Sequence, residues 1–328
     1  MRLRVYLAIG SYFLLAVSFG AVRQAHCDEI STFHLAVSKG ELAKVKQLIL
    51  GDPTLVNHRN EYKFTPLFQA AIAGHASVVK LLLDRGAKIE SRVLGETPLY
   101  RACHDGHSET AALLLDRGAD PNAAKTGKDG RGETPLDVAI GRYHKETVKT
   151  LLDHGANPNL TTEEYKAAAK DLFKLPRQVP LLAAFQKIQH ARHWKNLRKG
   201  DKTKAAKFER LIKTATEIAR MLITHKKTDM TARPPHGGGM ALHMAAMFDY
   251  PNLAKLLLAR GVDVNVRTTK TPWLKRSSRP PDYAFNETPL HLAVRAGHKE
   301  MVKLLLNRGA DRRAINSLGQ APFSLQAK

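Results

Sequence analysis

Beyond an uncharged apolar run from Val5 to Val22, the hydrophobic positions of this chain fall into clusters that return about every 33 residues. Each cluster opens on Thr-Pro-Leu or a relative of it, at Thr65, Thr97, Thr134 and Thr288, passes through a small pair such as Ala70-Ala71 or Ala102-Cys103, and often breaks at Gly-His. A Leu-rich stretch follows, as in Leu81-Leu82-Leu83, Leu113-Leu114-Leu115 and Leu304-Leu305-Leu306, and closes on Arg-Gly-Ala or His-Gly-Ala. Thr before Pro reads as a helix start: the hydroxyl caps free backbone amides, and Pro in the first turn gives up no hydrogen bond. Gly74, Gly106 and Gly297 fall where the first helix stops, and Gly86, Gly118, Gly155, Gly261 and Gly309 where the second does. The pattern therefore predicts two short antiparallel helices per unit. Neither buries its apolar face alone, so the units must stack.

The last clean copy, ETPLHLAVRAGHKEMVKLLLNRGADRRA from Glu287 to Ala314, resembles the repeat unit of the ankyrin family. The resemblance implies an all-α solenoid of about seven helix-turn-helix units with short hairpin-like turns. Units start near Ser31, Phe64, Glu96, Glu133, Val179, Gly239 and Glu287. Residues 28–160 hold repeats one to four, 161–235 a divergent, split repeat with a basic helical insertion, 236–319 further repeats with a loop insertion at 267–286, and 320–328 a truncated cap. In the split repeat Ile188 stands in the place of the turn glycine, so its first helix is expected to run on. Tyr143 replaces the turn glycine of the fourth unit, at a strain of about 1 kcal/mol if the left-handed backbone is kept.

Composition agrees with helices: Leu and Ala number 84 against 28 for Val and Ile, and aromatics make up 6%, which argues against a sandwich or barrel. The net charge of +22 is local. Residues 161–235 carry +11 of it and 267–286 another +4, while the repeats are nearly balanced. Residues 1–27 have the basic head (Arg2, Arg4), apolar middle and polar tail of a secretory signal peptide, with cleavage after Cys27 preferred over Gly20. The expectation is export, to a periplasm or the outside; the alternative is an uncleaved anchoring helix, for which 18 apolar residues barely suffice. Cleavage after Cys27 leaves Cys103 as the sole thiol, so no internal disulfide is expected.

The search for chemistry yields no catalytic residue, no cofactor and no metal site. His34, His243 and His291 occupy the Thr-Pro-Leu-His position, and His75, His107, His144 and His298 follow the interhelix turn, all structural places in the repeat. Cys103 beside His104 points away from it on a helix, and Gly237-Gly238-Gly239 lacks the strand and Lys of a phosphate loop. What the resemblance implies instead is a non-enzymatic, monomeric scaffold that binds another protein on the concave side of the array. The implied contact positions are Phe64, Ile72, Ala73, Glu96, His104, Asp105, Glu133, Gly141, Arg142, Met247, Phe248, Glu287, Arg295 and Ala296. The competing use of the surface is a grip on anionic envelope polymer or lipid head groups through 187–213, by Lys195, Arg198, Lys199, Lys202, Lys204, Lys207 and Arg210, with Trp194 stacking. The plain alternative is a solvated excursion whose aromatics pack back onto the array. An exported chain rarely meets nucleic acid, so that partner is set aside.

Overall fold

A computed structural model describes residues 28–126, 132–160, 180–197, 201–230, 240–268 and 286–325. Fourteen α-helices and no strands make up the described residues. The chain forms two compact units that divide after Lys128.

The first unit holds α1 (28–39), α2 (Leu42–Gly51), α3 (Pro66–Ala73), α4 (Ala76–Asp84), α5 (Pro98–Asp105) and α6 (Ser108–Asp116). The first helices α3 and α5 pack side by side, and the second helices run α2, α4, α6 in a parallel row. The caps foreseen from Thr-Pro are present: the Thr65 and Thr97 hydroxyls accept from the amides of Phe68 and Tyr100 at 3.3 and 3.0 Å. The rows close on Ala70, Ala71, Val78, Val79, Leu82, Leu99, Ala102, Cys103, Ala111 and Leu114, all buried.

Two hydrogen-bond ladders tie one repeat to the next. The turn histidines donate from Nε2 to a carbonyl of the preceding turn, His75 to Ser38 at 3.0 Å and His107 to Ile72 at 2.9 Å. The second ladder runs through the loops. Asn57 donates from Nδ2 to the Gly86 carbonyl and accepts from the Lys88 amide, at 3.0 and 2.9 Å. One repeat later Glu90 stands in that place and makes only the accepting half, from the Asp120 amide at 2.9 Å. Glu90→Asn restores a donor for the Gly118 carbonyl. It is expected to raise stability by about 0.5–1 kcal/mol, read as a higher urea midpoint with an unchanged slope.

The second unit holds α7 (Pro135–Gly141), α8 (Lys145–Asp153), α9 (Pro180–Leu197), α10 (Lys202–Thr224), α11 (Met240–Met247), α12 (Pro251–Ala259), α13 (Pro289–Arg295) and α14 (Lys299–Asn307). Its first helices stack in the order α7, α9, α11, α13, and its second helices α8, α10, α12, α14. The split repeat thus fills one place in the stack as a long helical hairpin. Asn159 binds Lys227 and Asp229 through their backbone as Asn57 binds Gly86 and Lys88, which fixes the register of its far end. Past Ile188 the first helix does run on, to Leu197, and Ile188 itself is fully buried.

Tyr143 and Asp249 keep the left-handed backbone of the turn glycine, at φ 65° and 57°. The Tyr143 hydroxyl donates to the Lys187 carbonyl at 3.2 Å, and the Lys187 ammonium lies 5.4 Å from the ring centre. The loop insertion is drawn together at its neck. The Thr268 amide donates to the Glu287 carbonyl and the Asn286 amide to the Thr268 carbonyl, both at 2.9 Å. Residues 1–27, the Gly237–Gly239 join and the body of the loop at 269–285 lie outside the described residues.

Candidate partner-binding surfaces

In the first unit, the turn preceding α5, the exposed side of that helix and Lys125 of the loop after α6 assemble a chain of alternating charge that ends on the ring of His104. The Lys125 ammonium is 2.7 Å from Glu96 Oε1, and Arg101 lies 3.7 Å from the other oxygen of Glu96 and 3.0 Å from Asp105. Asp105 in turn meets His104 Nδ1 at 2.6 Å. All five side chains are half-buried, so they are held in one arrangement before any partner arrives. Tyr100 lies beneath, its ring centre 5.9 Å from the Lys125 ammonium. Of the residues expected to make contact, Glu96, His104 and Asp105 are therefore brought together. Phe64 packs on Phe68 with ring centres 5.5 Å apart, and Ile72 and Ala73 stay half-exposed at the end of α3.

In the second unit, the structure places the expected residues unequally. Glu287 is 2% exposed and forms a two-pronged ion pair with Arg295, so those two groups already satisfy one another. The Glu287 carbonyl also accepts from His243 Nε2 at 2.9 Å. Met247 and Phe248 are half-buried, and their carbonyls accept from His298 Nε2 and from Arg192. Gly141 and Glu133 are half-exposed, and Arg142 and Ala296 are exposed. Burial and the Arg142 guanidinium hold the Lys187 ammonium below its usual range, with Glu133 pulling the other way. The structural place given to the Thr-Pro-Leu-His histidines is visible at His291. Its Nδ1 accepts from the Thr288 amide and hydroxyl while Nε2 donates to the Gln320 carbonyl, and burial lowers its basicity.

Of the basic residues in the insertion, Lys195 pairs with Glu209, and Lys204 with Asp201 at 3.0 Å. Lys207 and Arg210 are exposed. Arg198 and Lys199, and the side chain of Lys202, lie outside what is described. Trp194 is 36% exposed on α9, its indole N–H donating to His190 Nε2 at 2.9 Å.

Several anchoring residues escaped the sequence reading. Arg192 stacks on the Tyr250 ring at 4.8 Å, and Gln189 donates to the Tyr250 hydroxyl at 3.2 Å, so the extended helix supplies the contacts that turn histidines supply elsewhere. Arg260 donates to the carbonyls of Ile223, His225 and Thr228 at the end of α10. Asn159 and Asn265 each stand four residues after the glycine that closes a repeat, a spacing from which the loop ladder is readable.

Stacked pairs of short helices joined by turns, each pair repeating the contacts of the one before it, define a helical repeat protein. Models of the ankyrin repeat match residues 33–125 and 94–162, as three-copy blocks, and 238–269 and 285–317, as single repeats. The chain belongs to the ankyrin repeat family. It is 33% identical over 93 residues to protein phosphatase 1 regulatory subunit 12A of Mus musculus, covering 28% of this chain and 8% of that protein. It is 40% identical over 91 residues to Protein PhlB of Serratia liquefaciens, covering 28% of this chain and 34% of that one. The chain thus spans about a third or less of these relatives. The ankyrin repeat domain of Bcl-3 superposes with a TM-score of 0.54 at 20% identity, over 81% of this chain and 95% of that domain. Ankyrin repeats generally mediate protein–protein interaction.

Proposed function

We propose that this chain is a non-enzymatic scaffold that holds one protein partner on its turns and first helices. The observation that carries the reading is the half-buried charge chain Lys125–Glu96–Arg101–Asp105–His104. Its groups are fixed in place by one another, and a partner presenting complementary charge gains specificity without having to order them. Ile72 and Ala73 add apolar area in the same unit. The basic head and uncharged apolar middle of residues 1–27 support a working place outside the cytoplasm.

The test is chemical crosslinking followed by affinity purification from the exported fraction, run in parallel with Asp105→Arg. Wild type is expected to yield one enriched protein, and the charge reversal to reduce its recovery about 30-fold or more, while the loss of the Arg101 pair lowers stability by about 1 kcal/mol, too little to unfold the repeat. Equal recovery of the same proteins by both forms would overturn the scaffold reading at this face.

A further inference from the structure

We propose that the exposed stripe of α9 from His190 to Leu197, with Lys207 and Arg210 of α10, is a contact surface for an anionic phospholipid bilayer. A first helix of this array needs eight residues, as in α3, and a second helix nine, as in α4. Here α9 has 18 and α10 has 23. The surplus in α9 alone is about 15 Å of helix. Packing within the array accounts for its first half, through the buried Ile188 and Ala191 and the contacts of Gln189 and Arg192 with Tyr250; the last turn, from His193 to Leu197, has no such contact among the described residues.

The chemistry of this surface is divided by face. His190, His193, Trp194 and Leu197 follow the i, i+3, i+4, i+7 spacing of one helical stripe, and all four are exposed. Leu197 is 60% exposed, which no contact with the repeats explains. Trp194 is braced by His190 and His193, each in an edge contact with ring centres 6.1 Å away, so the indole is held in one place with about a third of it open to solvent.

Charge then selects the occupant. Residues 187–213 contain ten Lys and Arg against two acids, Asp201 and Glu209. Both acids are engaged: Asp201 caps α10 through the Lys204 amide and pairs with the Lys204 ammonium, and Glu209 pairs with Lys195. Lys187 and Arg192 serve the stack against Tyr143 and Tyr250. Lys207 and Arg210 remain exposed on α10, with no ion pair among the described residues. The Lys195–Glu209 pair brings the turn of α9 that carries Trp194 against the turn of α10 that carries Lys207 and Arg210. Trp and Leu rewarded by shallow burial, together with cations that meet phosphate, is the combination an anionic membrane interface favours. A sulfated polysaccharide or a nucleic acid would use the cations and the Trp but give Leu197 nothing.

The experiment uses the full chain carrying Trp273→Phe, so that Trp194 is the only indole. Its emission is followed with vesicles of phosphatidylcholine containing one quarter phosphatidylglycerol, and with pure phosphatidylcholine. Because the signal belongs to Trp194, insertion of the apolar run at residues 5–22 cannot imitate it. A blue shift with the anionic vesicles and quenching by doxyl-labelled lipid are expected. Lys207→Gln with Arg210→Gln should weaken binding about 25-fold, and Leu197→Ala should reduce quenching, both at unchanged helicity. An unshifted emission with anionic vesicles, or equal binding to the uncharged ones, overturns the proposal. So does a Trp194 shift produced by soluble heparin or single-stranded DNA but by neither vesicle, which would make the hairpin a polymer site.

Discussion

Gly74→Ala is expected to destabilise the protein by about 2–4 kcal/mol, far more than a methyl group on a surface turn usually does. Gly74 has φ +72°, a backbone that a side chain enters at a cost of about 1 kcal/mol. The added Cβ would then lie 2.5 Å from Nδ1 and 2.7 Å from Cγ of His107. That ring cannot simply move aside, because Nε2 is held by the Ile72 carbonyl at 2.9 Å. Displacing it leaves a half-buried carbonyl without its donor, about another 1–2 kcal/mol. A double-mutant cycle separates the two parts. In a His107→Ala background, Gly74→Ala should cost only the backbone strain, so urea denaturation should show a coupling of about 1–2 kcal/mol. Purely additive losses would show that the histidine and the glycine do not act as a pair.

Phe185→Ala is expected to have the larger effect, about 3–5 kcal/mol. Phe185 is fully buried in α9, at a register where the other repeats carry a small residue such as Ala71 or Cys103, and its ring meets Tyr250 edge-on at 6.3 Å. Removing it opens a cavity between α9 and the neighbours it packs on, α7 and α11. Because each repeat is stabilised by its neighbours, amide hydrogen exchange should accelerate in α11 as well as in α9. Phe208→Ala is the control. Phe208 is half-exposed on the extended part of α10, and its loss should cost about 1 kcal/mol or less. Comparable losses at the two positions would mean that Phe185 is not the tie between the hairpin and the array.

The ankyrin repeats were legible wherever local chemistry dictates local shape. Thr65 and Thr97 cap their helices because a hydroxyl next to Pro has few other conformational options, and that constraint can be read directly from two letters. Tyr143 was legible as an exception for the same reason, since only its neighbours' spacing requires a left-handed residue there. The hairpin was legible in part. Ile188 in place of glycine announces a helix that continues, but not that Arg192 and Gln189 will take over the histidine's task, because that depends on Tyr250, 58 residues further along from Arg192. Arg260 was unreadable for a similar reason: its three carbonyl partners are backbone groups of another repeat, and backbone leaves no mark in sequence. The surroundings of the expected contact positions were only partly legible. Position in the repeat puts Glu96 and Asp105 on one face, where both meet Arg101, yet Glu287 occupies the same register as Glu96 and is closed off by Arg295. Register places a side chain, whereas its charge neighbours decide whether it is still available.

The neck at Thr268 and Asn286 has a consequence for how this array can change. Its two backbone hydrogen bonds return the chain to the start of the seventh repeat regardless of what is strung between them. Doubling the length of a flexible loop costs only about 0.6 kcal/mol in closure entropy. The neck therefore works as a splice point: a tag, an epitope or a whole folded domain inserted there leaves the ladder from Asn265 to Gly309 and Asp311 in phase, and the repeats on either side need no compensating substitution.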